Sequence, residues 1–153
     1  MSLIVMKFGG TSLANLKKIN NVANIVKKQL KNNKLIVVVS AMAGTTNQMQ
    51  KFIDKIGSNE KAENDLILTS GENVTVGILS SLLKKKKIRS KPLLGWQIPI
   101  ITNSDNQKAK ILNIDKKRIK KFLINNDVIV VAGFQGIDKN GNITSLGRGG
   151  SDT

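Results

Sequence analysis

The 153-residue chain carries 25 lysines and arginines against 10 acidic residues, a formal net charge of +15, and 40% of it is hydrophobic, which suits one domain with a real core rather than a disordered segment. It contains no cysteine and no histidine, which excludes disulfides, thiolate metal sites and histidine bases and leaves catalysis to lysine, arginine, carboxylates, hydroxyls and backbone amides. No apolar run approaches the ~20 residues of a membrane-spanning helix, and the start is too soon interrupted for a signal peptide, so a soluble, cytoplasmic protein with no membrane partner is expected.

Residues 3–8 form an apolar, strand-like run that stops at Gly9-Gly10, with Thr11-Ser12 behind it. From Leu13 onward, Leu16, Ile19, Val22, Ala23, Val26 and Leu30 recur three or four apart with lysines opposite, which predicts an amphipathic helix. Residues 35–39 are a continuous apolar run of the kind buried on both faces of a parallel sheet, ending at Ser40-Ala41-Met42-Ala43-Gly44. Together they make a βαβ unit. A weaker helix is predicted over 47–56 and a polar connection over 57–64. Residues 66–83 read as one long or broken helix in which Gly71 and Gly77 each cost ~1 kcal/mol relative to alanine, with lysines 84–87 as its solvated end. Short strands are predicted at 91–96, 98–102 and 109–114. Asp115 is positioned to cap a helix through Ile119, Phe122 and Leu123. Residues 127–132 repeat the fully buried strand pattern and end at Gly133-Phe134-Gln135-Gly136. A turn over 138–142 then leads to a strand at 143–146, and the chain closes on Gly147-Arg148-Gly149-Gly150-Ser151-Asp152-Thr153. Strands alternating with helices, without repeats or an internal boundary, predict an α/β fold with a largely parallel sheet.

The charge raises nucleic-acid binding, since clustered lysine and arginine displace counterions from phosphate backbones. The lysines, however, are dispersed as Lys17-Lys18, Lys27-Lys28, Lys84 to Lys87, Lys116-Lys117 and Lys120-Lys121, on the polar positions of helices. Trp96 is the only tryptophan and tyrosine is absent, so there is no basic segment interleaved with stacking aromatics. A solvated surface explains the charge more simply, and no specific nucleic-acid partner is expected.

Three glycine-containing junctions follow strand-like runs: 7–12, 40–47 and 147–153. Glycines there let amides approach a phosphate, a following helix N-terminus adds partial positive charge, and Lys7 supplies a full one. Each junction is equally readable as a tight turn between strand and helix. Neither the Walker pattern nor the dinucleotide fingerprint is present. In open α/β sheets ligands bind beyond the carboxyl ends of the strands, where three such loops could converge. Arg148 is either a fork for a carboxylate or phosphate or an exposed loop arginine. Asp152 either orients a lysine or a metal-bound nucleotide, or caps a helix. Glu72, in the apolar surroundings of Ser70-Gly71-Glu72, is either exposed or paired with a cation such as a substrate amine.

Lys7-Phe8-Gly9-Gly10-Thr11-Ser12 resembles the opening motif of aspartokinases in the amino-acid kinase superfamily. Four further segments agree in order: Val38-Val39-Ser40-Ala41-Met42-Ala43-Gly44-Thr45-Thr46-Asn47, then Ser70-Gly71-Glu72, then Val130-Val131-Ala132-Gly133-Phe134-Gln135-Gly136, then Leu146 through Thr153. Trp96-Gln97 and 109–114 sit where similar enzymes carry a short hairpin. The resemblance implies a three-layer αβα sandwich of the amino-acid kinase (carbamate kinase-like) type. It also implies ATP-dependent phosphorylation of the aspartate side-chain carboxylate, the first step of lysine, threonine and methionine biosynthesis, with ATP and magnesium as cofactors and L-aspartate as partner.

Position by position, the resemblance gives Lys7 contact with the transferring phosphoryl group and puts Gly9, Gly10, Thr11, Ser12, Ser40, Gly149 and Gly150 around the nucleotide. Thr46, Glu72, Arg148 and Ser151 match aspartate-binding positions, Glu72 meeting the amino group and Arg148 a carboxylate. Asp152 matches a residue that organises the catalytic lysine, and no side-chain metal ligand is implied. The loop near Asn106-Gln107-Lys108 lacks the glycine and histidine often found there. Residues 1–153 would be a partial, truncated kinase domain, with the remainder of the nucleotide-binding region and the ACT domains absent, and little activity by itself. The partner expected is a second copy in a homo-oligomer, or a separate chain supplying the missing half. The alternatives are another carboxylate or phosphate kinase, a non-catalytic remnant or interaction protein, and a basic nucleic-acid binder.

Overall fold

The computed structural model describes residues 2–147. Strand β1 (Ser2–Phe8) lies parallel to β2 (Asn33–Val39), paired along its whole length from Ser2 with Asn33 to Phe8 with Val39. Between them a 3-10 turn, Gly10–Leu13, leads to helix α1 (Leu16–Leu30). The Asn15 side chain caps α1 by accepting from the Lys18 amide at 2.9 Å, satisfying one of the donors a helix start leaves orphaned. Its apolar stripe Ile19, Val22, Ala23 and Val26 is buried. Helix α2 (Thr45–Ile56) begins at Gly44 and ends at Gly57, both with left-handed dihedrals (φ 83° and 64°) that glycine adopts without steric cost.

Helices α3 (Lys61–Leu68) and α4 (Ser70–Lys85) meet at Thr69, which keeps φ −84° and ψ −4°. The break falls there because the Thr69 hydroxyl donates to the Asp65 carbonyl (2.8 Å) and the Ser70 hydroxyl to the Ile67 carbonyl (2.7 Å), engaging acceptors of the helical ladder. Neither Gly71 nor Gly77 causes it. By length and mean hydropathy (1.4) the stretch Lys61–Lys85 could cross a membrane, a property the sequence reading missed, yet half of its most apolar window is packed inside the fold.

Strands β3 (Ser90–Leu93), β4 (Ile100–Thr102) and β5 (Ile111–Ile114) precede α5 (Lys116–Asn125), which the Asp115 carboxylate caps on the Arg118 amide at 2.9 Å. Then come β6 (Val128–Ala132), β7 (Gln135–Ile137) and β8 (Ile143–Ser145). The main sheet has the order β1-β2-β6-β3 and is wholly parallel. Pro92 sits in its edge strand β3, where a missing amide donor is tolerated. The second sheet, β5-β4-β7-β8, is antiparallel except for the β4–β7 pair.

One face of the main sheet packs Leu35, Val37, Val39, Val128 and Val130 against Ile19, Val26, Leu79 and Leu83 of α1 and α4. The other packs Leu93, Ile129 and Val131 against Leu123 of α5, so helices lie on both sides and the fold is a three-layer α/β structure. Three expectations are corrected. The connection at 57–64 contains the start of α3; 91–96 narrows to β3, with turns following; and Gln135-Gly136 open β7 instead of extending a turn.

Candidate functional site

Parallel pairing brings the carboxyl ends of β1, β2 and β6 to one edge of the sheet. The Ser40 amide donates to the Phe8 carbonyl at 3.1 Å and the Gly133 amide to the Val39 carbonyl at 2.9 Å. Beyond these ends a cleft of ≈ 350 Å³ is lined by Gly10, Ser40, Ala41, Thr46, Glu72 and Phe134, among others. Its floor depends on a close approach. A Cβ on Gly71 would stand 2.7 Å from the Ala41 Cβ and 2.9 Å from the Thr45 Cγ2, so only glycine lets α4 lie this near the loop after β2.

That approach delivers Glu72. Its Oε1 accepts the Ala41 amide at 3.0 Å, while the buried Oε2 has no donor among the described residues. Glu72 is 2% exposed. Burial pushes its carboxyl up to about 7 from an ordinary 4.5, against the lowering effect of the Ala41 amide. The cleft therefore contains a carboxylate with one lone-pair side unanswered, the state a cation would relieve.

Lys7 lies at the end of β1 and lines a second cleft of ≈ 540 Å³, walled by Val38, Val131, Phe134 and Leu146. Phe134 lines both clefts. Its φ of 61° is a strained region for an aromatic residue, and its carbonyl is held by the Leu146 amide at 2.9 Å.

Of the residues singled out from sequence, Gly10, Ser40, Thr46 and Glu72 share the first cleft and Lys7 opens on the second. A Cβ on Gly10 would lie 3.2 Å from the Ala41 carbonyl oxygen, tighter than the loop accommodates without shifting, whereas one on Gly9 meets nothing. Thr11 and Ser12 line neither cleft. They border a groove against α1 in which the Lys18 ammonium donates to the Thr11 carbonyl at 3.0 Å. Arg148, Gly149, Gly150, Ser151 and Asp152 lie outside the described residues. Among the described residues no three carboxylate, histidine or cysteine groups gather as metal ligands.

Two residues with no role in the sequence reading tie these parts together. Gln135 donates to the Thr69 carbonyl and the Asn73 side chain, both at 3.1 Å, and accepts from the Gly95 amide at 3.1 Å. Asp65, fully buried, accepts from Asn106, Gln107 and Ser145. No local pattern signalled either residue, because their partners lie 40 to 80 residues away in the chain.

The amino acid kinase family model matches residues 2–153. The chain is 45% identical over 158 residues to the aspartokinase of Rickettsia felis and 47% identical over 155 residues to that of Bacillus sp. (strain MGA3). All of the chain is covered in both, but only 39% and 38% of those relatives. Among solved structures, the aspartate kinase from Synechocystis aligns with a TM-score of 0.85 at 35% identity, covering 99% of this chain and 25% of that one. E. coli aspartokinase III in complex with aspartate and ADP aligns at 0.84 over 99% of this chain and 45% of that one, with 22% identity, a likeness of fold alone.

Proposed function

Because the chain belongs to the amino acid kinase family, we propose that it carries the aspartate-binding side of an aspartokinase site, which phosphorylates the aspartate side-chain carboxylate at the expense of ATP. The observation carrying this reading is the buried Oε2 of Glu72, without a donor among the described residues, in a cleft that also presents Ser40, Thr46 and the start of α2. An ammonium group would answer that oxygen. The hydroxyls and amides beside it would take the carboxylates of the same small molecule, together with Arg148 and Ser151.

The acceptor carboxylate is already ionised at neutral pH and needs no base, which agrees with the absence of histidine. The work left to the chain is placement and charge neutralisation. Lys7 would meet the transferred phosphoryl group, with the amides of Gly9 and Gly10 beside it and Asp152 orienting the lysine. Ser40, Gly149 and Gly150, with Thr11 and Ser12 in support, would line the phosphates. ATP supplies the phosphoryl group, and magnesium, brought on its phosphates, offsets their charge. The cytoplasm, where ATP is available, is the compartment proposed.

The test is a calorimetric or NMR titration with L-aspartate and with succinate, which keeps both carboxylates but lacks the amine. Aspartate should bind and succinate should not. Only ionised Glu72 attracts the amine, so aspartate affinity should rise about 10-fold from pH 6 to pH 8 around a carboxyl titrating near 7. Equal binding of succinate, or a flat pH profile, would overturn the assignment.

A further inference from the structure

Gln135 opens β7 directly after Phe134, lines the cleft that holds Lys7, and is 2% exposed. Its carboxamide is engaged at both ends. Nε2 donates to the Thr69 carbonyl and to the Asn73 side-chain oxygen, both at 3.1 Å, and Oε1 accepts the Gly95 amide at 3.1 Å. An amide side chain supplies both functions, whereas a glutamate would turn an oxygen toward two acceptors. The backbone that carries Gln135 is held on each side. The Gly133 amide is tied to the Val39 carbonyl, the Leu146 amide to the Phe134 carbonyl, and a Cβ on Gly136 would stand 2.8 Å from the Ile100 carbonyl oxygen. The turn after β3 closes on it from the far side, since a Cβ on Gly95 would lie 2.9 Å from the Gln135 carbonyl oxygen and 3.1 Å from its Cγ.

Thr69 and Asn73, the partners of Nε2, bracket Glu72 at the start of α4. Among the described residues, that start has two side-chain hydrogen-bond ties to the carboxyl ends of the strands: Glu72 itself on the Ala41 amide, and the pair from Gln135. The apolar residues of α4 in the main core, Val76, Leu79 and Leu83, begin a turn later. A buried carboxylate with an unanswered oxygen favours any shift of the helix start that wets it, and the clamp from Gln135 opposes such a shift. We propose that Gln135 is a positioning residue for the cleft: by gripping Thr69 and Asn73 it keeps the start of α4 on the loop after β2, with Glu72 dry and in place for the amine of the substrate. The part played by the amine rests on the aspartate-binding reading above; the hold on Glu72 stands apart from it. No ion pair of Glu72 occurs among the described residues, and what acts on its carboxyl is burial, opposed by the Ala41 amide and its own.

The experiment compares the full chain with Gln135→Met, which keeps the volume and loses all of these hydrogen bonds, and with Asn73→Ala, at an exposed site, which loses one of them. The Glu72 carboxyl is titrated without ligand by NMR of an isotope-labelled side chain, and L-aspartate affinity is measured by calorimetry from pH 6 to pH 8. With the clamp gone, water reaches Glu72, and its midpoint should fall from about 7 toward the ordinary 4.5. More of it is then ionised at pH 6, so the rise in affinity from pH 6 to pH 8 should shrink from about 10-fold to under about 3-fold, while affinity at pH 8 weakens about 10-fold as the carboxylate leaves its place. Asn73→Ala should move both readings the same way, by about 2-fold in affinity at pH 8, and it decides the matter where Gln135→Met does not fold. A lowered unfolding midpoint beside an unchanged Glu72 titration would mean that Gln135 only stabilises the fold, which overturns the proposal. A titration that shifts in the variants while the unaltered chain binds no aspartate sinks the substrate reading and upholds the hold on Glu72.

Discussion

Glu72 is buried with one oxygen unanswered, and its carboxyl titrates near 7 when folded against an ordinary 4.5. Between those values the folded state holds the extra proton, so this group's contribution to stability falls as pH rises through the window and levels off above about 7. Replacing it by glutamine removes the penalty and keeps an acceptor for the Ala41 amide. Glu72→Gln should match the parent near pH 5 and exceed it at pH 8 by on the order of 2–3 kcal/mol, measured by urea unfolding, while aspartate binding is lost. A variant that is less stable at pH 8 would mean that Oε2 already has a satisfying partner. The type and neighbourhood of Glu72 were legible in the sequence, because a lone acid among apolar residues must be exposed or paired. Asp65 was not, because its partners arrive from residues 106 to 145 and no local pattern announces them.

Helix α4 contains two glycines with opposite reasons for being there. Gly71 is pressed against Ala41 and Thr45, whereas a Cβ on Gly77 meets nothing within 4 Å. Gly77→Ala should therefore stabilise by ~0.5–1 kcal/mol through helix propensity. Gly71→Ala should destabilise by about 1 kcal/mol net, overpacking of ~1–3 kcal/mol outweighing the same gain, and should weaken aspartate binding by moving Glu72 off the Ala41 amide. Denaturant midpoints of the two variants, compared side by side, check the sign of each. Strands β2 and β6 and helix α1 were readable because burial on both faces, or on one stripe, leaves continuous or periodic apolar patterns. The start of helix α3 was not, because it buries Asn64 and Asp65 and its first turn is polar. Strands β4, β5 and β8 of the second sheet were legible as short segments, but β7 and the pairing into one sheet were not, because three- or four-residue strands gain order from one another rather than from local preference.

Over the whole molecule the +15 charge is spread widely, but Lys91, Lys117, Arg118 and Lys121 do line one open groove beside α5. Duplex DNA should meet the protein weakly there. With about four phosphate contacts, affinity should drop roughly 100-fold between 50 and 200 mM salt, as read by fluorescence anisotropy. Sequence-selective binding that survives physiological salt would contradict the view of a solvated surface. The strand order β1-β2-β6-β3 has a different kind of consequence, one of timing. β6 is synthesised after β3 yet lies between it and β2, pairing Leu35 and Ser90 alike with Val128. Until Val128–Ala132 leaves the ribosome, β2 and β3 have no common partner, and the apolar rows of Leu35, Val37 and Val39 wait uncovered on their inner edge. Closure of so long a loop favours slow, millisecond-to-second folding, and the nascent chain spends that interval as a target for chaperones and for strand-to-strand association.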